Sequence, residues 1–144
     1  MRLGNDMKKT VVRIKISLLL AAAAGLAACK SVEGVYLPDC IAYAGDSIEL
    51  RDGRFEWDKF SDEVIVGDNG ELVDQFPQYP LAGSYRIDAD AVEFSADNGA
   101  ALPGMHLVTM ENRLFLLTET QAKAWRERSD WPACALVLGG YPER

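Results

Sequence analysis

From residue 34 onward, the chain is a series of short apolar segments separated by turn residues. The clearest segment is residues 46–60, where apolar and polar residues alternate on both sides of Asp52-Gly53. Alternation around an Asp-Gly pair predicts a β-hairpin with one buried face. The apolar positions of this hairpin are Ile48, Leu50, Phe55 and Trp57.

Further strands are predicted along the chain by the same pattern. A second hairpin is predicted around residues 67–70, and a third joins two apolar segments across Glu111-Asn112. Pro77 and Pro80 exclude the segment 76–80 from a central strand, because proline cannot donate to the ladder. Including the strands of these two hairpins, the predicted strands outside residues 46–60 are 34–37, 64–66, 72–73, 83–87, 91–94, 105–110, 113–118 and 133–138.

One segment departs from the β pattern. Residues 118–120 offer capping side chains, residues 121–128 are mostly helix formers, and Arg126 and Arg128 suit the negative end of a helix dipole. We therefore predict one short helix near residues 119–128.

Together these elements predict an all-β fold. Short strands joined mostly by tight turns are typical of an antiparallel meander, and about eight strands can close into a small up-and-down barrel. The short helix would precede the last strand. Closure would place the first strand beside the last, and therefore Cys40, just after the first, beside Cys134, within the last.

The N-terminal segment has the three parts of a secretory signal. Four basic residues between positions 8 and 15 precede the apolar run 16–24, and Leu26-Ala27-Ala28 is followed directly by Cys29. The last four residues resemble the lipobox of bacterial lipoproteins, which implies diacylation of the Cys29 thiol and cleavage before it. A transmembrane anchor, a buried helix and a plain signal peptide are the alternatives, and the start is either Met1 or Met7. The basic residues are Lys8, Lys9, Arg13 and Lys15.

The lipoprotein resemblance implies a domain organisation and a location. Residues 1–28 would be the signal peptide, 29–33 the lipidated N-terminus and a short tether, and 34–144 a single barrel domain. Lys30 is not the aspartate that tends to retain lipoproteins in the inner membrane. We therefore expect a lipid anchor in the outer membrane, with the domain facing the periplasm.

Charge restricts the partners of the mature chain. Residues 29–144 contain 10 basic and 21 acidic residues, a net charge of about −11. Such a charge repels phosphate backbones, so nucleic acid is excluded as a partner. Attraction to anionic headgroups is disfavoured as well, and contact with the membrane would come from the lipid.

Cysteine usage predicts one disulfide. If Cys29 carries the lipid that the resemblance implies, two cysteines remain, Cys40 and Cys134. In an oxidising compartment, an even number of remaining cysteines suggests a disulfide between them. The alternative is two separate buried thiols.

The pattern Gly34-x-Tyr36-x-Pro38-x-Cys40 and its continuation resemble the N-terminal barrel of NlpE-type lipoproteins, and more loosely META and lipocalin-like small barrels. The resemblance covers residues 34–117 and implies an outer-membrane lipoprotein linked to copper handling and envelope-stress sensing. Leu37 stands where that family has the first cysteine of C-x-x-C. Metal binding and redox sensing through this motif are therefore not carried over. The continuation is Ile48-x-Leu50-x-Asp52-Gly53-x-Phe55, Gly83-x-Tyr85 and Val92-x-Phe94.

The chemistry of a catalytic or metal site is sparse in the sequence. The single histidine, His106, lies in an apolar strand pattern typical of a hydrogen-bonded strand residue. Residues 68–74 lack the spacing of a calcium loop, and no G-x-S-x-G motif occurs. We expect no enzyme, no metal site and no cofactor.

A non-catalytic binding or envelope-sensing function is the prediction that remains. Phe76 and Tyr79, in the proline-bounded loop, are the predicted partner-binding residues. The expected partner is an envelope protein, and an immunity-type inhibitor of a basic lytic enzyme is one variant. The alternative is a lipocalin-like carrier of a small apolar ligand, which requires that Trp57, Phe94 and Phe115 line a cavity rather than fill the interior.

Overall fold

Eight strands close into one antiparallel barrel, as the sequence predicts. The structure is a computed structural model, and it describes residues 31–41 and 44–140. The predicted signal peptide and Cys29 lie outside the described residues. The elements in chain order are β1 (Gly34–Pro38), β2 (Ala44–Arg51), β3 (Arg54–Ser61), β4 (Ile65–Val66), β5 (Leu72–Val73), β6 (Leu81–Asp88), β7 (Ala91–Ala96), β8 (Met105–Met110), β9 (Arg113–Thr118), α1 (Glu119–Arg128) and β10 (Leu136–Leu138).

The strand order around the barrel is β1-β10-β9-β8-β7-β6-β3-β2. Every barrel strand is antiparallel to both of its neighbours, which gives the up-and-down meander. Strands β4 and β5 are not part of the barrel. They form a separate two-stranded sheet within the connection from β3 to β6.

The β2–β3 hairpin supplies much of the barrel interior. Its register pairs Ile48 with Trp57 and Leu50 with Phe55, and all four side chains are buried. They face inward together because successive side chains of a strand point to opposite faces of the sheet. The alternation in the sequence therefore predicted both the hairpin and its buried face.

Aromatic rings fill the middle of the interior. The Phe94 ring packs edge-on against Phe55, with centroids 5.0 Å apart, and against Trp57 at 5.3 Å. Gly83 makes room for this cluster, because a Cβ at that position would lie 2.0 Å from the Ser95 carbonyl oxygen and 2.7 Å from the Phe55 ring. The interior is a packed core at this level.

Helix α1 covers the outer face of the barrel at β8 and β9. It begins with a capping box, in which Thr118 Oγ1 accepts from the Gln121 N–H and Gln121 Oε1 accepts from the Thr118 N–H. Under the helix lies a second buried cluster, which includes Phe115 and is separate from the interior. Strand β9 is therefore buried on both faces. This cluster contains Met110, Phe115, Leu117, Ala122, Ala135 and Val137.

Closure between β1 and β10 is reinforced by a disulfide and an ion pair. Cys40 and Cys134 are bonded, with Cα atoms 5.0 Å apart and a sequence separation of 94. The Arg113 guanidinium, on β9, donates to Asp39 Oδ1 at 3.0 Å and to the Gly140 carbonyl at 3.1 Å. The predicted bridge and the predicted adjacency of the first and last strands are both confirmed.

The last strand is shorter than predicted. We expected a strand over residues 133–138 with Cys134 inside it, but Cys134 lies in a turn before β10. The reason is its backbone, which has φ of 50° and cannot continue a ladder.

Residues before β1 are already held on the barrel. The Tyr36 hydroxyl donates to the Val32 carbonyl at 2.6 Å, and burial raises the pKa of this hydroxyl above its ordinary value. Glu33 Oε1 accepts from the Asp52 N–H at 2.8 Å. Among the described residues, no helix has the length and apolarity needed to cross a membrane.

Removing the disulfide tests how strongly closure depends on it. The double variant Cys40→Ser/Cys134→Ser should lose on the order of 4 kcal/mol of unfolding free energy, because the bridge closes a loop of nearly the whole domain. Urea unfolding under non-reducing conditions measures this loss. Reductant should lower the stability of the parent protein and leave the variant unchanged. Equal urea midpoints for parent and variant would show that the bridge does not stabilise the barrel.

Gly83 can be tested against a matched glycine. Gly83→Ala should destabilise the protein by about 1–3 kcal/mol, because its methyl group has no space between β7 and Phe55. Gly104→Ala is the control, since a Cβ there would have the Val92 carbonyl oxygen at 3.5 Å as its neighbour. Thermal unfolding of both variants checks this, and equal losses would contradict the close approach at Gly83.

Candidate functional site

The connection from β3 to β6, residues 62–80, is the largest departure from the barrel plan. We call it the insert. It contains the β4–β5 hairpin, whose turn is closed by hydrogen bonds from the Gly67 N–H to the Glu71 carbonyl at 2.8 Å and from the Gly70 N–H to the Gly67 carbonyl at 2.9 Å. The hairpin predicted at this position is confirmed. It lies outside the barrel sheet, which the sequence pattern did not indicate.

Apolar side chains on the insert are exposed to solvent. Leu72 is 77% exposed and Val64 69% exposed, although large aliphatic side chains are usually buried. All four strand residues of the hairpin are exposed as well. Of the ten exposed large hydrophobic residues in the described part of the chain, five lie on the insert and a sixth, Phe60, lies just before it on β3. The five are Val64, Ile65, Val66, Leu72 and Val73.

A groove of about 310 Å³ lies between the insert and the end of β3. Its apolar surface comes from both sides, with Phe60 on β3 and Ile65 and Val73 on the hairpin. Phe76 lines the same groove. The carboxylate-bearing residues Glu63 and Asp74 also line it.

Hydrogen bonds fix the path of the insert where it leaves the barrel and where it returns. Gln75 Nε2 donates to Ser61 Oγ at 3.3 Å and to the Glu63 carbonyl at 3.1 Å. Asp74 Oδ1 accepts from the Phe76 N–H at 2.9 Å. These bonds tie the two ends of the insert together and hold the groove open.

The predicted partner-binding residues, Phe76 and Tyr79, both lie in the returning part of the insert. Their rings pack edge to face, with centroids 6.3 Å apart. We expected two exposed rings, but both are half-buried, and Tyr79 packs against the barrel core. Phe76 lines the groove. Their part in partner binding stays a prediction.

A chain of polar contacts connects this loop to the barrel interior. The Lys59 ammonium lies 5.4 Å from the centre of the Tyr79 ring and 2.7 Å from Asp46 Oδ1. The same oxygen accepts from the buried Trp57 indole N–H at 3.0 Å. Lys59 is therefore already neutralised within the protein, and its charge is not free for a ligand.

The insert carries charge of one sign. Residues 62–80 include five carboxylates and no lysine or arginine. Two features of the sequence could have identified the insert as a candidate binding surface: its charge of one sign, and the apolar run at residues 64–66, which does not alternate with polar residues. It was missed because such a run is also typical of a buried strand. The five are Asp62, Glu63, Asp68, Glu71 and Asp74.

The barrel interior offers less room. A cavity of about 220 Å³ opens at the end of the barrel near the disulfide, where Asp46, Met105 and Leu136 are among its lining residues. Pockets for drug-sized ligands are usually about 300–1,000 Å³. Trp57 and Phe94 fill the interior beneath this cavity, and Phe115 lies outside the barrel, under α1.

His106 occupies a network of charged side chains between β8 and α1. Its Nδ1 lies 3.5 Å from Asp90 Oδ2, and its Nε2 contacts the Glu119 carboxylate. Arg126, on α1, donates to His106 Nδ1 at 3.2 Å and pairs with Asp90. The prediction of a hydrogen-bonded strand histidine is confirmed, and the network attaches the helix to the barrel.

Across the described residues, no three His, Cys, Asp or Glu side chains come together in a way that could hold a metal ion. Residues 68–74, considered above as a calcium loop, form the turn and second strand of the β4–β5 hairpin.

The insert and the start of β1 lie at opposite ends of the barrel. Gly34 pairs with Leu50, near the β2–β3 turn, whereas the insert begins after Ser61, at the far end of β3. Seven residue steps separate Arg54 from Ser61, and at the rise of an antiparallel strand this is roughly 23 Å.

Comparisons with protein-family models, curated proteins and solved structures find no match to this chain.

Proposed function

We propose that this protein is a lipid-anchored, non-catalytic envelope protein that binds a protein partner through the insert. The observation that carries the proposal is the exposed apolar surface of residues 60–73, formed by Phe60 at the end of β3 and by five residues of the insert outside the closed barrel. Contiguous exposed apolar surface bordered by polar residues marks interaction sites in soluble proteins. An envelope-sensing function and an immunity-type inhibitor are both forms of this proposal.

The position of the insert suits a protein anchored through Cys29. Three Cα–Cα steps, at most roughly 11 Å, separate Cys29 from Val32, which is held on the barrel. The N-terminal end of the barrel would then face the membrane, and the insert would point away from it. A partner in the periplasm could approach the insert without obstruction by the bilayer.

The carrier alternative has less support. A lipocalin-like carrier needs an apolar interior with room for its ligand, whereas here Phe55, Trp57 and Phe94 pack against one another inside the barrel. The remaining cavity at the barrel end is small and contains the Asp46 carboxylate. A small apolar ligand would gain little there.

Cys29→Ala tests the anchor. Without the thiol, no lipid can be attached, so we expect the variant to accumulate as unprocessed or mislocalised protein. Membrane fractionation with immunoblotting measures the outcome, and Cys40→Ser/Cys134→Ser is the control for the loss of other cysteines. A mature Cys29→Ala species in the outer membrane would contradict the lipoprotein interpretation.

Partner binding is tested by capture from an envelope extract with the protein purified from membranes in detergent. Phe76→Ala/Tyr79→Ala should lose the captured protein by at least about tenfold, because truncating aromatic anchors of an interface commonly costs 2 kcal/mol or more. Trp131→Ala, which removes an exposed aromatic ring on another surface, is the matched control.

The outcomes of this capture separate the candidates. Because Tyr79 packs against the core, the urea midpoints of both variants are measured alongside, and only folded protein is compared. A partner captured equally by all three proteins would move the binding site away from the loop. Fatty acid recovered with no protein would favour the carrier.

A further inference from the structure

We propose that the groove between the insert and β3 receives a lysine or arginine side chain from a basic, extended segment of the partner. This inference rests on the proposed function and specifies the chemistry of its partner. It is carried by three observations: an apolar groove, carboxylates along it, and a hairpin with unpaired edges.

The groove suits a side chain that is apolar along its length and charged at its end. Phe60, Ile65 and Val73 provide apolar contact for a methylene stem. Lysine and arginine bury such stems against apolar surface while the charged group remains in water. Glu63 and Asp74, on the same groove, supply carboxylates for that group.

Both carboxylates are available to a cation from outside. Neither Glu63 nor Asp74 forms a salt bridge within residues 31–41 and 44–140, and the backbone bond to Asp74 uses Oδ1 alone. Lys59 is the cation that lines the groove, and it is paired with Asp46. An incoming ammonium or guanidinium therefore meets uncompensated negative charge.

The charge of the insert selects against other occupants. Five carboxylates and no basic residue in residues 62–80 repel an acidic peptide or a phosphate group. A neutral apolar ligand would leave Glu63 and Asp74 beside a surface that excludes water, which is unfavourable for a charge. A basic segment satisfies both the apolar contact and the charge.

The hairpin offers the backbone contact that an extended segment needs. Within the described chain, β4 and β5 pair with each other and with no other strand, so the outer edge of each has no strand partner. An isolated two-stranded hairpin is marginally stable in water. A partner strand added to one edge would stabilise it, as in β-strand addition by other domains.

The test uses two peptide probes and the full chain, purified from membranes in detergent. The basic probe is an end-capped Lys-Val-Lys-Val-Lys peptide, and the acidic probe has Glu in place of each Lys. Glu63→Gln/Asp74→Asn removes the groove charges and keeps the polar contact of residue 74. Asp88→Asn/Glu111→Gln removes the same net charge from turns at the opposite end of the barrel. Fluorescence anisotropy of labelled probes gives each Kd.

We expect the parent protein and the Asp88→Asn/Glu111→Gln control to bind the basic probe equally and to bind the acidic probe far more weakly. Glu63→Gln/Asp74→Asn should weaken binding of the basic probe roughly fivefold to tenfold and reduce its sensitivity to salt. Ile65→Thr, which keeps a β-branched side chain, should weaken binding but leave the salt sensitivity unchanged. Equal weakening in the two charge variants, or no binding of the basic probe, would overturn the inference.

Failure of this inference can be distinguished from failure of the proposed function. Suppose that a captured envelope protein binds the parent and Glu63→Gln/Asp74→Asn with the same Kd. This result would show that the groove is not part of the interface, while the proposed partner binding would still stand. Loss of that captured protein in Glu63→Gln/Asp74→Asn, with retention by Asp88→Asn/Glu111→Gln, would support the groove. Absence of any captured protein would instead count against the proposed function.

Discussion

Closure of β1 against β10 is the constraint on which the rest of this structure depends. The seam is short, with three residue pairs between β1 and β10 and two between β10 and β9. Without it, β1 and β10 would become edge strands, and the interior would open to water. The Cys40–Cys134 bond links the segment after β1 to the segment before β10. The Arg113 side chain, from β9, contacts Asp39, the residue next to Cys40. Short strands can close the barrel because side chains secure them.

The exposed apolar residues of the insert are not accounted for by the closed barrel. Inside the barrel, apolar side chains are paired across strands and packed around Phe94. On the outside, α1 covers Phe115 and Leu117. The apolar residues of β4 and β5 contribute to neither cluster, so burial within the barrel does not account for their presence. An interface does account for them, because it would bury what the fold leaves exposed.

Local patterns predicted those parts of the fold that depend on neighbouring residues. The β2–β3 hairpin followed from alternation around Asp52-Gly53. Helix α1 was predicted near residues 119–128 from cap candidates, helix formers and late basic residues, and the structure shows its first turn closed by a capping box. Patterns failed where the answer depends on distant residues. Periodicity cannot show that the 64–66 run stays outside the barrel, or that Tyr79 packs on the core. The turn at Cys134 was missed because its left-handed backbone is a consequence of the tertiary fold.

The topology relates the anchor and the insert in a way that neither feature reveals alone. In an up-and-down barrel, each connection lies at one of two ends, and the connection after β3 is at the end opposite to the start of β1. If Cys29 carries the proposed anchor, an interaction surface in the β2–β3 turn would lie beside Glu33, which contacts Asp52, and would compete with the membrane for space. The insert has the position farthest from that constraint along the strands. In the proposed arrangement, an acidic insert at this end would carry exposed apolar groups toward a basic partner while the barrel stays close to the bilayer.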